Sequence, residues 1–143
     1  MSCLSHHPAL LFERMYHLIA LDETLGFEEF KALFEKNLSQ FRHNECKVLL
    51  RLVGEYASSL SEVNELWLRF YEAKLNMYLG EHEKASVVFN ELMRIPSVLP
   101  PMLFLKLHQH KGLLYSIKRN WDEAISSFQQ AFAICICVFY QSY

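Results

Sequence analysis

The chain has 143 residues, 52% hydrophobic and 21% charged, a composition that supports one packed domain and excludes a disordered chain. Its formal net charge is −2 and its basic residues are scattered, so no nucleic-acid partner is expected. With four Gly, four Pro and fourteen Glu against only two Asp (Asp22 and Asp122), helix is favoured over a loop-rich β architecture.

Apolar spacing predicts about seven helices. The first, 8–20, opens at Pro8 and carries Leu11, Met15, Leu18 and Ile19 on one side. The second, 26–40, has the stripe Phe27, Phe30, Leu33, Phe34 and Leu38. The third, 44–59, takes Asn44 as its cap and carries Val48, Leu49, Leu52, Val53 and Tyr56. In the fourth, 61–79, Ser59 and Glu62 have capping-box spacing and Val63, Leu66, Trp67, Phe70 and Tyr71 form the stripe. Gly80 is expected to stop this helix in a left-handed turn. The fifth, 82–94, shows Ala85, Val88, Phe89 and Leu92 and ends before Pro96. The sixth runs from Met102 to about Lys118, after the connector "PSVLPP". Asn120 is expected to cap the seventh, with Glu123 three residues on.

Residues 82–95, "HEKASVVFNELMRI", match residues 121–134, "WDEAISSFQQAFAI", at an offset of 39. His82 stands against Trp121, Ala85 against Ala124, Phe89 against Phe128, and Leu92 against Ala131. With Gly112 and Tyr115 added, the second copy resembles the tetratricopeptide repeat, a helix–turn–helix unit of about 34 residues whose small residues let two helices approach closely. The resemblance covers residues 65–134, two units; Ala73, Gly80, Ala85 and Phe89 mark the first. It implies an all-α chain, a short right-handed solenoid of antiparallel helical hairpins. The five extra residues are assigned to the Pro connector. Residues 1–60 are read as irregular N-terminal helices, with "LGFEEFKALFEKNL" as half of a degenerate unit and Phe30 at its small-residue position, and 61–138 as the two repeats.

The family's concave face implies a groove lined by Trp67, Phe70, Lys74, Met77 and Tyr78 in the first unit. In the second unit it implies Lys106, Gln109, Leu113, Ser116 and Ile117. Such a groove would bind a peptide or helix of a partner protein. The Lys/Asn clamp of chaperone-binding members is not reproduced, since only Lys74 and Lys106 fall near its places. Each groove aromatic has an alternative reading as core packing. The expected function is a non-enzymatic interaction scaffold; the alternatives are a peptide-sensing regulatory domain and a small helical hydrolase.

No catalytic residue, cofactor or metal is expected. The glycines are isolated, which excludes a phosphate-cradling loop. His108 and His110 point about 200° apart on a helix, as do Cys135 and Cys137, so neither pair chelates one ion. His43 and Cys46 share a face without a third member, and the histidines are read as surface residues and the cysteines as buried ones. "MSCLSHHPALLF" lacks the charged and apolar regions of a secretory signal, so a cytoplasmic protein with free thiols is expected. The most apolar run, "AFAICICVFY" (131–140), is shorter than the roughly 20 residues of a membrane span, so no membrane partner is expected. This segment nevertheless has no polar outer face to close an array. Phe132, Val138 and Phe139 are therefore candidates for an oligomer interface, with a homodimer or another partner covering them. A longer array and a tail folded back in extended form are the other readings.

Overall fold

The computed structural model describes residues 8–95 and 99–141. Seven α-helices and no strand occur among the described residues: α1 (Pro8–Leu21), α2 (Glu23–Ser39), α3 (His43–Gly54), α4 (Glu62–Tyr78), α5 (His82–Met93), α6 (Pro101–Ile117) and α7 (Trp121–Gln141). The all-α expectation therefore holds. The chain divides into two compact units, Met1–Leu68 and Arg69–Tyr143, with the boundary inside α4.

The helices repeat with one period over most of the chain. α2, α4 and α6 each have 17 residues and begin at 23, 62 and 101, 39 apart each time. Their successors α3, α5 and α7 begin at 43, 82 and 121, again 39 apart. Every hairpin turn has one residue in the left-handed region: Phe41 (φ 59°), Gly80 (φ 85°) and Arg119 (φ 61°). The turns are closed by the same hydrogen bond, Arg42 N to Asn37 O at 2.9 Å, Glu81 N to Asn76 O at 2.8 Å and Asn120 N to Tyr115 O at 2.8 Å. Residues 23–54 thus share the spacing and turn geometry of the two later hairpins. This register puts Phe34, and not Phe30, level with Ala73 and Gly112. A bulky aromatic at a position that is small in the other two copies disguises the repeat in sequence.

In the first unit the core is aromatic. Phe27, Phe30 and Phe34 are fully buried along α2, with ring centroids 5.1 and 5.9 Å apart. Met15 and Ile19 of α1 and Cys46, Leu49 and Val53 of α3 complete it. Gly26 lets α1 and α2 touch: a β-carbon there would lie 2.5 Å from the Ile19 backbone nitrogen. α2 begins at Glu23 rather than 26 because the Asp22 carboxylate caps it, accepting from Leu25 N at 3.2 Å. α3 begins one residue before Asn44 and ends at Gly54, short of the expected 59. The chain then turns, and Ser59 Oγ donates to Tyr56 O rather than capping α4. Ser61 caps α4 instead, its hydroxyl accepting from Asn64 N at 3.2 Å.

Glu23 braces this corner. Its carboxylate accepts from Ser61 N at 3.0 Å and from Asn64 Nδ2 at 2.6 Å. The Ser61 amide, then Asn64, hold its pKa below the ordinary 4.5, against the opposing effect of burial. A carboxyl with a lower pKa in the folded state contributes stability above the unfolded pKa and loses it as pH falls through the folded one. Glu23→Gln should therefore cost about 1 kcal/mol at neutral pH. Urea titrations of both proteins from pH 7 to pH 3 should show the difference closing as pH falls below 4.5.

In the second unit Phe70 is fully buried, its ring 5.9 Å from Phe89 and edge-on to His110 at 5.1 Å. α6 and α7 form a closely packed hairpin. Gly112 is buried where the ring of Phe128 crosses, and a β-carbon there would meet that ring at 2.7 Å. Ala124 and Ala131 are buried on the same face of α7. Small residues therefore mark the crossing, as the spacing predicted. α7 continues as helix to Gln141, which overturns the reading of 134–140 as a folded-back tail.

Candidate functional site

The first unit holds an apolar groove of about 540 Å³ between α1 and α3, lined by Ala9, Phe12, Glu13, Tyr16 and His17 from α1 and Val48 and Leu52 from α3. The α1 residues recur at helical spacing, and Val48 and Leu52 lie one turn apart. Phe12 is buried beneath it. One end is tied by Tyr56, whose hydroxyl donates to Tyr16 O at 2.9 Å and whose ring lies 5.0 Å from that of Tyr16. The Tyr16 hydroxyl pKa is pushed up to about 12, first by its hydrogen bond to Glu55, so it remains a donor at any physiological pH. Glu13 and His17 form an exposed pair at 3.8 Å on the rim. Sequence reasoning missed this groove. Its only sequence trace is a second apolar stripe on α1, Ala9–Phe12–Tyr16, beside the core stripe Met15–Ile19.

The groove expected from the repeat register is not built as drawn. Trp67, Phe70, Lys74 and Met77 are buried, each at most 7% exposed. Phe70, Phe89 and His110 pack as a mutual cluster, and Lys31 Nζ covers the Trp67 ring at 4.2 Å. Packing has used these side chains, so they offer almost no surface to a ligand. Tyr78 remains exposed at the end of α4. On α6, Gln109, Leu113 and Ile117 are exposed along one stripe, while Lys106 and Ser116 are half-buried. Ser116 Oγ donates to Gly112 O at 2.9 Å and is engaged within its own helix.

The polar singletons divide differently from the sequence expectation. His110 is buried, not superficial. Its Nδ1 lies 2.7 Å from Lys106 O, and since a carbonyl only accepts, that nitrogen carries the proton. His108 packs edge-on against Phe104 at 4.7 Å, and burial, then Lys111, lowers its pKa, so it is neutral near pH 7. Cys46 is buried, with burial first and the carboxylates Glu45 and Glu35 next pushing its thiol up to about 11, which keeps it unreactive. Cys135 and Cys137 are exposed, against expectation, and Cys3 lies outside the described residues. Among the described residues no three His, Cys, Asp or Glu side chains are grouped to hold a metal ion.

α7 presents the largest apolar exposure. Trp121, Ile125, Phe128, Phe132, Ile136, Phe139 and Tyr140 are all at least 39% exposed, and Val138 is half-buried. The ten-residue count behind the membrane expectation understated this helix: Trp121–Tyr140 is long and apolar enough, by length and composition, to cross a bilayer. No known protein family, curated protein or solved structure matches the chain.

Proposed function

We propose that the protein is a non-enzymatic interaction scaffold, its three hairpins stacked as a short right-handed solenoid of tetratricopeptide type, that binds an amphipathic helix of a partner protein. The observation that carries this reading is the apolar groove between α1 and α3. Its two parallel stripes match the way a helix seats anchors one turn apart. Glu13 on the rim favours a partner with a basic residue beside those anchors. The 39-residue period supports the solenoid, because a hairpin that repeats with fixed geometry buries its faces by stacking on its neighbours. The free thiols of Cys46, Cys135 and Cys137 fit a reducing compartment, the cytoplasm.

A second reading keeps the expected site on α6, where Gln109, Leu113 and Ile117 stay exposed. Helical peptides selected from a displayed amphipathic library separate the two. Under the first reading Val48→Arg should weaken a selected peptide about 100-fold, the loss of a central anchor, and Leu113→Arg should leave it unchanged. The reverse pattern moves the site to α6. Selected peptides indifferent to both substitutions remove both sites.

A further inference from the structure

From the exposed stripe on α7 we infer that this helix pairs with α7 of a second copy of the chain, antiparallel and centred level with Gln130. At 100° per residue, Trp121, Ile125, Phe128, Phe132, Ile136 and Phe139 fall within a stripe about 100° wide. It lies beside the face carrying Ala124, Ser127 and Ala131, which is buried. The six stripe side chains are between 39% and 68% exposed.

The spacing says what covers them. Positions 121 and 139, 125 and 135, and 128 and 132 are symmetric about residue 130. An antiparallel copy in that register sets Trp121 against Phe139 of the second copy, Phe128 against its Phe132, and Ile125 against its Cys135. Each contact then occurs twice, as a two-fold interface requires. Charge selects the same direction. α7 has no charged side chain after Asp122 and Glu123. A parallel pair would bring those four carboxylates together, whereas an antiparallel pair holds them at opposite ends. The exposed area is also sufficient: at about 150–250 Å² per aromatic side chain, the stripe offers on the order of 700 Å², close to the roughly 800 Å² per partner of a standard interface. The pairing lies wholly in the second unit and does not depend on the groove between α1 and α3.

The test is light scattering behind size exclusion on the full chain over a hundredfold concentration range, with disulfide trapping to read the register. Wild type should run at twice the chain mass and dissociate on dilution. Phe132→Glu should weaken the dimer at least 100-fold with an unchanged far-ultraviolet circular dichroism spectrum, because Phe132 is 68% exposed. Ala133→Glu, on the other exposed side of the helix, should remain dimeric. In a Cys3→Ser, Cys137→Ser background, Ile125→Cys should cross-link to Cys135 of the second copy under diamide. The background itself should not, since the two Cys135 residues would stand about 15 Å apart along the axis. A monomer at every concentration overturns the inference, as does a cross-link through Cys135 alone, which would mean a parallel pair. Transfer of wild type from solution into phosphatidylcholine vesicles with loss of the dimer also overturns it, in favour of a bilayer.

Discussion

Replacing Gly26 with alanine should destabilise the protein by about 2–3 kcal/mol, because the new methyl group meets backbone as well as side chain. Its β-carbon would lie 2.5 Å from Ile19 N and 2.6 Å from Ile19 Cα. No rotamer change removes a backbone atom, so α1 must move off α2, and overpacking of that kind typically costs about 1–3 kcal/mol or more. Alanine's better helix propensity returns about 1 kcal/mol at most, too little to reverse the sign. Gly112→Ala is the internal comparison. There the obstacle is a side chain, the outer edge of the Phe128 ring at 2.7 Å, which can turn about its own bonds without moving backbone. The net cost should be about 1 kcal/mol or less, since the propensity gain offsets most of the strain. Urea denaturation of the two variants should rank them in that order. Equal stability of Gly26→Ala and wild type would mean that α1 does not cross α2 at this point.

Phe70→Ala should cost about 3–5 kcal/mol, the range for removing a buried phenylalanine. The ring is fully buried against Phe89 and His110, and its loss leaves a cavity beside a histidine already committed to Lys106 O. Domains of this size are stable by only about 5–15 kcal/mol, so the variant should lie near its unfolding threshold at 37 °C. This measurement also separates core from groove. A groove-lining Phe70 would tolerate truncation and lose only binding. Leu113→Ala, at an exposed position on α6, should change stability by less than about 0.5 kcal/mol. If the two truncations cost the same, the interior assignment of Phe70 fails.

Much of the fold was legible in the residues because helices obey local rules. Periodicity placed all seven helices, and Gly80 was found as a left-handed turn from its lack of a side chain. Gly112 and Ala124 were read as a helix crossing, with Phe128 filling the space beside it, because only small residues allow two backbones so close. Boundaries were less secure where two caps competed. Ser61 rather than Ser59 starts α4 because Glu23, 38 residues earlier in the chain, accepts from the Ser61 amide. The first hairpin escaped recognition because Phe34 and Cys46 occupy positions held by Ala73 and Ala85 in the second copy and by Gly112 and Ala124 in the third. Phe41 and Arg119 likewise adopt the left-handed conformation without the glycine that would announce it.

The sequence by itself determined the class of fold, the helix order and the 39-residue offset, since these follow from side-chain size and spacing along one helix or one turn. Tertiary structure alone decided which apolar stripes are interior and which meet solvent. Trp67, Phe70 and Met77 recur at helical periodicity, as do Trp121, Phe128 and Phe132, yet the first set is buried and the second exposed. Burial depends on whether another helix lies across a stripe, and that helix is supplied by a distant part of the chain: α6 brings His110 onto Phe70, while the outer stripe of α7 remains open to solvent.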